Sequence, residues 1–311
     1  MMRLLAYLVP ALADFLAQTP SAVVNAQPGN AWRDGSPHRV RFVTVDSAVR
    51  LEVLDWGGVG QPLLFVGCYL TAHVYDNIAP KLTDQFHVYA VTRRGVGVSD
   101  RPRSGYDPQR RADDILAVMT AFDLKKPILV GNSCGGDVLH TLGARHPERI
   151  GGLMYLDAVE DPTLPMAAYG ATPVDTTHLP ACMGEPAAVR FPEAEIRQRP
   201  IDPDIRRAIV EENRVKPDYA QIRVPVVAIF RTVTKEQALR QCPPKTEQER
   251  QAVGQAYLAG RAMLTKWQSD LRASIPLARI VELPGANLYM FLSNEADIIL
   301  ELRAFAASPQ R

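Results

Sequence analysis

Residues 131–135 read Gly-Asn-Ser-Cys-Gly and join an apolar run, "PILV", to a stretch with helical spacing. This is a G-x-S-x-G pattern in a strand–turn–helix setting. A serine at its centre sits on a tight, strained turn, which lifts its hydroxyl clear of the strand end. Small residues are needed at 131 and 135, because a bulky side chain at either would clash. The same turn places Ser133 at a helix N-terminus, whose dipole favours a developing negative charge. Such a residue suits nucleophilic attack on an acyl carbon.

Placing that turn requires a sheet. "HRVRFVTV" and "RLEVLDW" alternate as half-buried strands do. "PLLFVG" (62–67), "FHVYAVT" (86–92), "PILVGN" (127–132), "IGGLMYLDA" (150–158), "VPVVAIF" (224–230) and "ARIVELPG" (278–285) are more continuously apolar, as strands covered on both faces are. Helical patterns lie between them, at about 71–83, 108–123, 134–146, 246–274 and 293–307. The alternation predicts a mostly parallel eight-stranded sheet flanked by helices, with its site at the C-terminal ends of the strands. From 159 to 221 the rhythm breaks and proline recurs. A structureless loop of that length is unusual, so this stretch reads as a cap of short helices, with "PDIRRAIVEENRV" as its clearest helix. The core is then 38–158 together with 222–311.

The chain has 311 residues and a net charge of +1, so nothing points to nucleic acid or to an anionic membrane surface. No apolar run is long enough to span a bilayer. Residues 1–26 carry one early cation, Arg3, then an apolar stretch, then small residues before Gln27. They read as a signal peptide cleaved after Ala26, which predicts a secreted or periplasmic protein. An uncleaved amphipathic helix there would leave the protein cytoplasmic. In an exported protein Cys182 and Cys242 could pair, and the alternative is two free thiols. No Cys/His spacing suits zinc and no glycine-rich phosphate loop occurs, so neither a metal nor another cofactor is expected. The paired Arg93 and Arg94 at a strand exit read as braced by acids or solvated.

From about residue 38 onward the chain resembles the α/β-hydrolase fold superfamily, in its serine-hydrolase, esterase-like branch. The resemblance rests on the elbow around Ser133 and on three further segments in order: "RRGVGVSDRP", "RHPERIGGLMYLD" and "ARIVELPGANLYMFLSNEADII". It implies that Ser133 is the acyl-accepting nucleophile. It also implies an oxyanion hole made by the backbone N–H of Cys134 and one from the loop Gly67-Cys68-Tyr69. Val66-Gly67 stands where relatives often carry His-Gly, which a backbone donor tolerates. The sulfurs of Cys68 and Cys134 read as small apolar packing. The partner implied is a small acyl or ester molecule.

The resemblance places the acid after the serine. Asp157, closing "YLD", is the first candidate, with Glu160 and Asp161 just beyond and Glu236 after the next strand. The base is the departure. The family pattern is Gly-Ala-x-His, and this chain has Gly285-Ala286-Asn287-Leu288. Leucine has no lone pair and cannot accept the serine proton. Loss of the triad histidine costs on the order of 10⁶ in turnover in a serine protease. The expected protein is therefore a hydrolase with activity lost or much reduced at Leu288, by natural or deliberate substitution. The alternatives are a non-catalytic protein binding a small apolar ligand, and a hydrolase with a relocated base, His178 in the cap. His73 reads as a helix-end or supporting residue. Trp267 reads as core, and Tyr289 as either core or pocket lining.

Overall fold

The computed structural model describes residues 34–46, 48–164, 168, 174, 176–180 and 189–307. The segment read as a signal peptide, 1–26, and Cys182 lie outside the described residues. Eight strands form one sheet: β1 (Arg39–Val45), β2 (Val49–Gly57), β3 (Gln61–Val66), β4 (Phe86–Thr92), β5 (Ile128–Asn132), β6 (Gly152–Leu156), β7 (Val226–Thr232) and β8 (Arg279–Pro284). Their order is β1-β2-β4-β3-β5-β6-β7-β8. β2 runs antiparallel to both β1 and β4, and all later pairings are parallel. All eight apolar runs of the sequence become strands, in the architecture that the resemblance implies.

Burial follows from position in the sheet. The central strands β5 and β6 are buried at every residue, because helices cover both faces. The edge strand β8 is half-buried or exposed throughout. Successive residues of a strand point to opposite faces, so Leu63 and Phe65 join one apolar layer while Leu64 and Val66 join the other. The second layer also holds Leu139 and Leu142 of α2 (Gly136–Arg145), Ile115 and Val118 of α1 (Pro108–Ala121) and Leu271 of a long helix near the C-terminus.

Between β6 and β7 the described residues form α3 (Glu193–Ile196) and α4 (Pro203–Glu212), plus short turns. α4 falls within the helix expected there. Asp202 accepts from the backbone N–H of Asp204, and Pro203 opens the helix where its missing N–H costs nothing. Ile201 and Ile209 of this region pack with Cys68, Val96, Tyr106 and Cys134. After β7 come α5 (Lys235–Gln241), α6 (Glu247–Ser274), α7 (Met290–Ser293) and α8 (Glu295–Ala307).

Two expectations need correction. Residues 71–83 form no continuous helix but two 3₁₀ turns, Ala72–Tyr75 and Ala79–Leu82. Pro80 at the start of the second lacks the N–H that a through-running helix would need. Residues 235–241, outside the helical patterns of the sequence, form the helix α5, which Thr234 and Gln237 open with a reciprocal capping box. Among the described residues no helix is long and apolar enough to cross a membrane.

Candidate active site

The elbow is built as its sequence requires. Ser133 follows β5 directly and has φ +52°, a left-handed conformation that costs energy for a residue with a side chain. A Cβ on Gly135 would lie 2.2 Å from the Val66 carbonyl oxygen, and one on Gly136 would lie 1.9 Å from that of Ala158. Both positions therefore exclude any side chain, and the close backbone approach fixes the serine's exit direction. Ser133 lines a pocket together with Cys68, Tyr69, Asp157, Glu160, Arg231, Met263, Trp267, Leu288 and Tyr289, among others.

On one side of Ser133 lies the loop 67–70, where the cysteine reading is overturned. Cys68 and Cys134 are not apolar fillers but form a disulfide, with Cα atoms 4.9 Å apart. The bond ties the residue after the serine to the loop after β3. The folded chain brings two residues 66 positions apart within bonding distance, which no local spacing reveals. Cys242 is also disulfide-bonded, so the free-thiol alternative fails there, while its expected partner Cys182 lies outside the described residues.

Arg93 supports the same corner. Its Nη2 donates to the Cys68 carbonyl at 2.5 Å and to Cys134 Sγ at 3.3 Å, and its Nη1 donates to the Cys134 carbonyl at 3.5 Å. Burial, with repulsion from Arg111, lowers its pKa to about 9. The expectation of an acid brace or solvent therefore holds only for Arg94, which makes two 2.6 Å bonds to Asp114. Arg93 instead clamps the backbone of the two cysteines.

The acid candidates separate. Asp157 directly follows β6 with φ +49° and lines the pocket, but its Oδ2 accepts from Arg231 Nε at 2.6 Å. Glu160 also lines the pocket. Burial, with the nearby charges of Asp137 and Asp157, pushes its carboxyl up to about 8. Asp161 accepts from the backbone N–H and hydroxyl of Thr163. Glu236 is exposed in the first turn of α5, 3.7 Å from Arg240. Neither of these two lines the pocket.

Leu288 is buried and lines the pocket with Ser133. Its backbone is fixed: Asn132 Nδ2 donates to the Leu288 carbonyl at 2.9 Å and to the Leu156 carbonyl at 3.0 Å. One amide thus joins the ends of β5 and β6 to the loop after β8. Tyr289 beside it lines the pocket too, and burial pushes its phenol up, away from any role as a base. None of the six histidines lines the pocket. His178 is exposed and bonds to the Thr177 hydroxyl at 3.1 Å. His140 is buried against Tyr219, and burial lowers it to about 3. Trp267, read as core from sequence, lines the pocket from α6 one turn beyond Met263. The helical spacing of these two was visible, but not the direction in which α6 presents them.

The profile of the alpha/beta hydrolase fold family matches residues 61–252. The chain is 31% identical over 109 residues to a 2-(acetamidomethylene)succinate hydrolase of Mesorhizobium japonicum, covering 35% of this chain and 39% of that protein. It is 33% identical over 121 residues to a non-heme chloroperoxidase of Streptomyces lividans, covering 38% and 44%. The matched stretch thus spans about two fifths of these relatives' length. A solved E-2-(acetamidomethylene)succinate hydrolase superposes with a TM-score of 0.61 at 19% identity, covering 87% of this chain and 100% of that one. An esterase from Rhodococcus sp. superposes with a TM-score of 0.59 at 19% identity, covering 86% and 98%. The structural likeness speaks for the fold alone, but the sequence match takes in well over half of the chain, from β3 through the elbow into α6. The chain belongs to the α/β-hydrolase fold family.

Proposed function

We propose that this protein is a serine hydrolase scaffold for a carboxylic ester or related acyl compound, with Ser133 as nucleophile and Leu288 in the place of the base. The observation that carries the reading is the pairing of a left-handed Ser133 with a buried Leu288 in one pocket, their backbones joined through Asn132. The backbone N–H groups of Cys134 and Cys68 supply the oxyanion hole in this reading, and Asp157 is the acid. With no histidine at the pocket, turnover is lost or strongly reduced. Residues 159–221 act as the cap that shapes the substrate's entry. Export to a secreted or periplasmic location fits the same reading, since bonded cysteines persist in oxidising compartments.

The lining favours one second reading. Leu70, Val74, Met263, Leu288 and Phe291 give much of the pocket an apolar wall, which suits a small apolar ligand held without turnover. Hydrolysis of short-chain p-nitrophenyl esters by the chain as it stands, by Leu288→His and by Ser133→Ala separates the two. Turnover confined to Leu288→His supports the hydrolase scaffold. Turnover already present in the unaltered chain and lost in Ser133→Ala shows that another group serves as base. No turnover in any of the three, with an apolar ligand raising the melting temperature, favours the binding reading.

A further inference from the structure

On the far side of the turn Ala72–Tyr75 lies a cluster that plays no part in the pocket. Asp34 and His38 are four residues apart, on the approach to β1. His73 and Asp76 are three apart, in and just after the turn. The fold brings the two pairs together, so that one ligand atom from each of the four residues lies within 4.8 Å of the others. His73 Nδ1 is 3.1 Å from Asp34 Oδ2 and 3.2 Å from Asp76 Oδ2. His38 Nδ1 is 3.0 Å from Asp76 Oδ1, and its Nε2 is 3.6 Å from Asp34 Oδ2. Four ligands at zinc's usual N and O bond lengths, arranged tetrahedrally, stand about 3.3 Å from one another. The four contacts, which use both ring nitrogens of His38 and both oxygens of Asp76, lie near that spacing, and one atom from each residue lies within 4.8 Å of the rest.

Three further observations point to a cation. The side chains of His38, His73 and Asp76 are 3%, 8% and 6% exposed, while Asp34, at 24%, leaves a path from solvent. Asp34 Oδ2 is buried and receives no hydrogen bond, although two imidazoles stand near it. The other ring nitrogen of His73, Nε2, faces Glu52 Oε1 at 3.6 Å, and Glu52 in turn accepts from the Thr92 hydroxyl at 2.6 Å. A carboxylate behind a histidine, itself held by a hydrogen bond, is the arrangement that orients metal-bound imidazoles. Two nitrogen and two oxygen donors suit zinc, whereas calcium and magnesium prefer an all-oxygen set.

We propose that Asp34, His38, His73 and Asp76 form a binding site for a divalent transition cation of the zinc type. The ion clasps residues 34–38 to the turn that follows the loop carrying Cys68. Its role is structural, since none of the four residues lines the pocket around Ser133. The proposal is independent of the fate of the catalytic base.

The test uses the full chain, stripped with chelator and titrated with Zn²⁺ alone by isothermal calorimetry. One equivalent should bind and should raise the melting temperature. Asp34→Asn combined with His38→Gln should abolish binding, and Glu52→Gln should weaken it about 10–100-fold. Binding by the unaltered chain at no defined stoichiometry, or equal binding by a folded double variant, overturns the site. Should the double variant fail to fold, X-ray absorption of the zinc-loaded unaltered chain decides. Two imidazoles with oxygen donors uphold the proposal, and sulfur ligation or a histidine-free shell overturns it.

Discussion

The two sides of Ser133 have been treated differently. On the side proposed for the oxyanion hole the backbone is held from several directions. The disulfide ties Cys68 to Cys134, Arg93 clamps both their carbonyls, and the contacts at Gly135 and Gly136 leave no room for a side chain. On the side of Leu288, the proposed base position, the backbone is equally fixed, with Asn132 holding the Leu288 carbonyl, but in that proposal the side chain that would do the chemistry is absent. The contrast separates two kinds of catalytic resource. Stabilisation of an oxyanion comes from main-chain N–H groups, which survive any change of side chain that keeps the fold. Proton transfer depends on one side chain and vanishes with it.

The largest effect should come from repairing the weaker side. Leu288→His is expected to raise Ser133-dependent ester hydrolysis by about 10²-fold or more, measured as kcat/KM on p-nitrophenyl acetate. A rise no greater than that of Leu288→Gln would show that the slot does not face the serine and would dissolve the contrast.

The next effect tests the stronger side. In the Leu288→His background, replacing both Cys68 and Cys134 by serine should cut turnover about tenfold or more, because the loss of one oxyanion donor alone costs about 10²–10³. Denaturant melts should show a loss of about 2–4 kcal/mol, the usual worth of such a crosslink. Unchanged turnover with lowered stability would make the bond a staple and nothing more.

Arg231 sharpens the base side further. Its bond engages Asp157, the carboxylate that a new histidine would need in the proposed triad. Arg231→Met in the Leu288→His background should therefore add about tenfold to kcat, by a smaller share of the roughly 10⁴ that a triad acid supplies. A fall instead would show that Asp157 needs the guanidinium to stay in place.

The smallest effect is a pH slope. Burial raises Glu195 to about 7 against the pull of its Thr71 hydrogen bonds, which link α3 to the start of the turn Ala72–Tyr75. A carboxyl raised in this way contributes stability that is fully present below pH 4.5 and is lost as the pH climbs through about 7. Glu195→Gln should flatten the melting temperature between pH 5 and 8 by a few degrees. Parallel slopes for the two proteins would show that Glu195 titrates normally.

The sequence carried the sheet and the strained turn at Ser133 because each is written locally, in strand runs and in small residues around one serine. It did not carry what depends on distant residues meeting. The Cys68–Cys134 bond, Arg93 beneath it, Arg231 on Asp157 and the Asp34–His38–His73–Asp76 cluster all join segments that no periodicity relates. The reading of 71–83 as one helix failed for a nearer reason, since its apolar spacing outweighed the proline in its middle. His178, expected in a cap insertion and named as an alternative base, is exposed in the fold.

Asn132 has a consequence for engineering. Its amide grips the loop at a carbonyl, a group that every amino acid brings, so the grip does not depend on what residue 288 is. Position 288 is therefore a socket: its backbone is fixed from outside and its side chain lines the same pocket as the half-buried Ser133. A cysteine, a glutamate or an unnatural imidazole could be seated there without rebuilding the loop. The protein then becomes a host in which different proton acceptors can be compared against one constant nucleophile.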